Sequence, residues 1–186
     1  MSRVSIKKQN NGGAPLPKDK NILLMKVSDF ADGGFPDRAA NGVSISDNII
    51  LKDGIKALGI EATAKTITRN DNSEGETDAK GWIQSLSLVH PGDDVEVNAF
   101  LQEWLNEEII AISKDCGDGA GTRLHGTLCN PLEMSVEEQD SQEGIGKTIN
   151  LGSSQRGKYK SAHYTGDLPE VAPSASEGSG SAGGGL

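Results

Sequence analysis

Gly146, Lys147 and Thr148, in the run EGIGKTINLGSS (143–154), are the three residue types that close a phosphate-binding loop. Such a loop reads G-x-x-x-x-G-K-[ST], because its glycines free backbone N–H groups to surround the phosphates. The spacing fails at the first glycine, where position 141 is Ser141. The context fails as well. The loop has to leave a strand and open a helix whose N-terminus faces the anion, whereas Lys147, Thr148, Ile149, Asn150 and Leu151 alternate as a strand does. The preceding VEEQDSQE would repel a triphosphate. The run is therefore read as a glycine-containing β-hairpin turn, with Lys147 dispensable to folding and no nucleotide expected.

Other residues with chemical potential are equally scattered. The GDGAG run (117–121) has the glycines of a phosphate cradle, but strands flank it instead of a helix, and it lacks the regular oxygen ligands of a calcium loop. Cys116 and Cys129 have no zinc-site spacing with each other or with His90, His125 and His163. A hairpin over 109–129 turning near Gly119 places Cys129 across from Ile110 and Cys116 across from Arg123, so two free thiols are expected. Glu107 and Glu108 are helix neighbours that point different ways, which disqualifies them as an acid–base pair. No nucleophile elbow and no zinc-protease motif occurs. An enzyme is not expected, and no catalytic, cofactor or metal residue is assigned.

The elements that would position any site are mainly β. NILLMKVSD (21–29) is a compact apolar strand, and FADGGFPDRAANG (30–42) is a glycine-rich loop long enough to make contacts. Residues 43–51 and 55–69 read as strands, the second a single long one with Ala62, Ala64, Thr66 and Thr68 on one face. NDNSEGETDAKG (70–81) is a wholly polar tip leading to the strand WIQSLSLVH (82–90), whose Trp82, Ser85 and Ser87 oppose Ile83, Leu86 and Leu88 imperfectly. A helix follows over about 93–107. Asp93 and Glu96 have capping-box spacing, and Val97, Phe100, Leu101, Trp104 and Leu105 form one apolar stripe that packs on a sheet. Strands at 109–115, 122–129, 131–139, 146–153 and 157–165 complete an antiparallel β-barrel or sandwich of seven to nine strands with one packed helix. The folded domain is 21–168, between a flexible basic arm (1–20) and a disordered Ser/Gly-rich tail (169–186).

Charge narrows the function classes. The chain is −9 overall, yet residues 1–20 hold five basic residues against Asp19, and residues 70–143 hold 17 acids against three bases. So acidic a body does not bind nucleic acid by phosphate neutralisation. The arm either lies on the body of another copy, pairing with the acids of 70–81, or is a solvated tail. No run has the length of a membrane span, and the start MSRVSIKKQNNGG lacks a signal-peptide core, so a cytoplasmic product without membrane anchor is expected.

The order of elements carries a likeness. VNAFLQEWLNEEIIAISKDC followed by GTRLHGTLCNPLEMSVEEQDSQEGIGKTINLGSSQRGKYKSAHYTGDLP resembles the tail tube (major tail) proteins of tailed bacteriophages, a family similar in fold to inner-tube proteins of contractile injection and type VI secretion systems. The likeness spans about 43–168, with GTLCNP and GKTINL similar to late strands, and no obvious immunoglobulin-like domain is expected within these 186 residues. It implies a β-barrel-like sandwich that self-assembles into hexameric rings stacked as a hollow tube, in a virion tail. DNA would pass through the lumen without specific binding, and tape-measure, terminator and baseplate proteins would be partners. The arm and the loops 30–42 and 70–81 are then the candidates for ring contacts. The alternatives are another virion component of head completion or baseplate, and a monomeric sugar- or peptide-binding β-domain.

Overall fold

The computed structural model describes residues 5–8, 13–117, 121–142 and 144–174. Ten strands and one α-helix follow in chain order: β1 (Lys18–Lys26), β2 (Ser44–Ile45), β3 (Leu58–Glu61), β4 (Thr68–Glu74), β5 (Gly81–Pro91), α1 (Val95–Trp104), β6 (Ile109–Asp115), β7 (Thr122–His125), β8 (Leu132–Ser141), β9 (Gly144–Ser153) and β10 (Ala162–Tyr164). The fold is mainly β with a single α-helix among the described residues, as the patterning predicts. The sheet path β2-β10-β7-β6-β8-β9-β5-β4, with β1 between β3 and β6, does not close on itself, so the architecture is a sandwich and not a barrel. All pairings between strands are antiparallel except β2 with β10.

The sandwich forms because β1 and β6 are apolar on both faces. Ile22 and Leu24 of β1 point into one core with Ile109 and Ala111, where they meet Leu86 and Leu88 of β5, Ile149 and Leu151 of β9, and Leu101 and Trp104 of α1. The intervening Leu23 and Met25 join Ile110, Ile112, Leu124 and Tyr164 in a second core on the opposite face. A strand covered on both sides has to read as a continuous apolar run, and ILLM and IIAI do. The first part of the loop 30–42 closes the second core, while residues 37–41 stay largely at the surface. Phe30 and Phe35 pack with tilted rings, centroids 5.5 Å apart, and Ala31 and Gly34 exchange backbone hydrogen bonds with Ile50. A Cβ at Gly34 would meet the Ile50 carbonyl oxygen at 2.1 Å, so glycine is required there.

Several local expectations are corrected. The strand expected over 55–69 is broken by a 3-10 turn at Ala64–Thr66, where the Thr66 hydroxyl donates to the Thr63 carbonyl and accepts from the Val89 N–H. This local bonding competes with the ladder. The polar stretch 70–81 is half strand: Asn70 to Glu74 pair with β5, from Asn70↔Ser85 to Glu74↔Gly81. An edge strand open to water tolerates such polarity. In the helix, the stripe ends at Trp104, and Leu105 is left 44% exposed. The expected capping box is absent: Asp94 is the N-cap and makes no side-chain cap bond, while Asp93 accepts from the Asn98 amide and Lys147. The 109–129 hairpin pairs Ala111↔His125 and Ser113↔Arg123, three residues out of the expected register. Gly126, at φ +84, ends β7 early and opens a separate turn in which Thr127 and Asn130 bond.

At the termini, β1 already begins at Lys18, and the Lys18–Asp115 and Lys20–Glu61 ion pairs tie two arm cations to their own subunit. Residues 170–172 are docked on β3's flank, through Ala57↔Val171 and the Lys56–Glu170 pair. The rest of the expected tail, 175–186, lies outside the described residues, as do Arg3 and 9–12 of the arm.

Candidate functional site

Lys147 lies inside β9, opposite Glu138, and the strand continues to Ser153 where a phosphate loop would open a helix. The hairpin turns where Ser141 pairs with Gly144. The Lys147 side chain is only 3% exposed, and its Nζ donates to Asp93 Oδ1 at 2.9 Å and Glu138 Oε1 at 3.0 Å. These bonds, to Asp93 first and then Glu138, hold its pKa above the usual lysine value. Asp93 is held below the carboxylate range by the Asn98 amide and then by Lys147. The cation therefore joins the start of α1 to the β8–β9 hairpin. It acts as a bracket between these two elements, a role that the turn reading does not include.

The histidines do not converge. His125 and Ser113 are each 1% exposed and hydrogen bond at 3.0 Å between Nε2 and Oγ. Burial pushes the His125 pKa down to about 4. A serine beside a histidine is nucleophile-and-base chemistry only where substrate reaches it, and this pair is closed off. His90 Nδ1 lies 2.8 Å from the Glu61 carbonyl oxygen, and Cys116 and Cys129 are free and exposed. Among the described residues no three His, Cys, Asp or Glu side chains group as metal ligands, and no helix is long and apolar enough to cross a membrane.

A denser polar layer caps the end of β6. Asp115 accepts from Lys18 and from Arg69, and Asp71 accepts from the Ser161 N–H and hydroxyl at 2.9 and 2.6 Å. Asp71 is thus spent inside its own subunit and is not free to hold an arm.

Two surfaces remain that can contact something else. The layer β4–β5–β9–β8 has two open edges: among the described residues β4 pairs only with β5, and β8 beyond Leu132 pairs only with β9. Both edges carry acids, Glu74 on β4 and Glu133, Glu137, Glu138 and Asp140 on β8. The second surface is a cleft of about 650 Å³ lined by Arg38, Gln84, Asn130, Arg156, Lys158 and Tyr159 among others. An adjoining hollow shares Arg38, Lys158 and Tyr159 and adds Trp82 and Lys160. Buried Gln84 organises it, donating to the Tyr159 carbonyl at 3.1 Å and accepting from the Gly126 N–H at 2.9 Å.

Arg38 and Lys158 sit over the Tyr159 ring at 4.9 and 5.2 Å, and Lys160 over Trp82 at 5.5 Å. None of these cations is ion-paired among the described residues. The sequence reading missed this cluster. QRGKYK (155–160) was its visible signal, a basic run with one aromatic residue in an acidic chain. Compared with known protein families and with solved structures, the chain matches no family model and no solved structure.

Proposed function

We propose that this chain is a structural protein that self-assembles into six-membered rings stacked as a tube, the tail tube of a virion, through which DNA passes without being bound. The observation that carries the reading is a pair of long open edges on one layer of a small β-sandwich with a single packed helix. Unpaired ladders are surfaces that a neighbouring copy can cover. A cyclic contact is heterologous, so it needs two different surfaces on each copy, and the acidic edges and the cationic cleft differ in that way.

The described surface also suits a conduit: it offers many carboxylates along β8 and α1, which repel phosphate. Negative-stain microscopy of the purified full chain tests the reading. Rings of six or tubes are expected, and discrete single particles at every concentration would overturn it. A second reading, a monomeric β-domain that binds an anionic ligand, is favoured by the cleft alone and predicts those single particles.

A further inference from the structure

Strand β9 has chemically opposite ends. Its N-terminal end forms the β8–β9 hairpin tip with exposed Glu137, Glu138 and Asp140, and the backbone bond from Gly92 to Ile145 brings Asp93 and Asp94 alongside. The cation there, Lys147, is already bonded to Asp93 and Glu138. Its C-terminal end runs into Arg156, Lys158 and Lys160 and the cleft shared with Arg38, where Asp37 is the acid in the lining. The β4–β5 turn, which carries Glu76, Asp78 and Lys80, borders that end where Gly75 and Gly81 lie against Arg156. Arg38 keeps its Nη2 buried with no hydrogen-bond partner among the described residues. Ten residues of strand put the two ends roughly 30 Å apart, so a copy cannot satisfy its own cleft with its own tip.

We propose that the cationic cleft receives the acidic β8–β9 hairpin tip of a second copy of this chain, a head-to-tail contact that places cations of one copy against carboxylates of the next. It rests on the self-assembly reading and gives that reading its chemistry. Carboxylates suit the cleft better than bases do. Lys160 lies over Trp82 and Arg38 and Lys158 over Tyr159, so a stacking base has to compete with cations that already sit on these rings. The tip also carries one exposed apolar side chain, Ile145, 49% exposed. Tip and cleft are different surfaces at opposite ends, so a head-to-tail union leaves a free tip on one end copy and a free cleft on the other, to which further copies add.

Charge reversal in the full chain tests the contact. Lys158→Glu with Lys160→Glu reverses the cleft, and Glu137→Lys with Asp140→Lys reverses the tip. All four are surface positions, and unchanged thermal melting verifies that each variant is folded. Sedimentation velocity at low salt is expected to show association weakened at least about ten-fold by either pair alone, with substantial recovery when both pairs are combined in one chain. If the unmodified chain assembles and neither reversal changes its association, the contact is wrong while self-assembly stands. If the cleft reversal weakens association and the tip reversal does not, the occupant is another acidic segment and the proposal is overturned. A chain monomeric at every concentration overturns both readings.

Discussion

Replacing Trp104 by alanine probes how the one helix is held to the sandwich. Trp104 is 7% exposed and belongs to the core that β5, β6, β8 and β9 share. Its ring lies 5.5 Å from Phe100 and 4.9 Å from Lys26 Nζ. Truncating a buried tryptophan to alanine removes its transfer free energy and leaves a cavity, about 3–5 kcal/mol together. The Lys26 cation–π contact adds about 0.5–1 kcal/mol. Lys26 stays paired with Glu103 and Glu107, so no buried charge is stranded and the loss remains in that range. For a chain of this size each kcal/mol is about 2–4 °C in Tm, so a drop on the order of 10 °C is expected. Urea unfolding of the monomer measures it, with Trp104→Phe falling between the two. A loss below about 1 kcal/mol would refute core packing and mean that Trp104 faces a partner.

His125 should make the fold acid-sensitive. Its pKa is about 4 in the folded chain against 6.5 unfolded, so the unfolded state binds more protons in between. Its contribution is complete above pH 6.5 and is lost as pH falls toward 4, about 3 kcal/mol in all. Urea midpoints from pH 7 to 4 follow the loss, and His125→Gln should flatten that limb. Lys147→Ala should lower the urea midpoint, because Asp93 and Glu138 lose their shared cation, while equilibrium dialysis detects no ATP binding at micromolar concentration in either protein; a midpoint equal to the parent's would remove the bracket. Deleting residues 1–12 should shift monomer stability by less than about 0.5 kcal/mol. Deleting 1–20 should cost more, since it also removes the Lys18–Asp115 and Lys20–Glu61 pairs and the opening of β1.

The helix and the central strands were legible because their residues repeat with the period of the element. Val97, Phe100, Leu101 and Trp104 fall on one helical face, and ILLM and IIAI are apolar throughout because both of their faces are covered. The break at Ala64–Thr66 was not legible, because threonine reads equally as strand former and as the hydroxyl that ends a strand. Residues 70–74 were hidden by their polarity, which reports an open edge and not a loop. Gln84 and Lys147 were unreadable for a different reason. Each is a polar residue at a core position, made tolerable by partners 42 and 75, or 9 and 54, residues away. The cleft shares that difficulty, since Arg38 meets Tyr159 only through the fold. The failed phosphate loop, by contrast, was settled by Ser141 and by the alternation after Lys147, and β9 runs through both of its last residues.

The central claim is self-assembly, and the most direct measurement is the mass of the purified full chain in solution over a wide range of concentration. Sedimentation velocity should find species at six times the 19.5 kDa of one chain, or larger stacks, that dissociate as salt is raised and the cleft–tip contacts are screened. A single species at 19.5 kDa, unchanged by concentration or salt, would contradict the account.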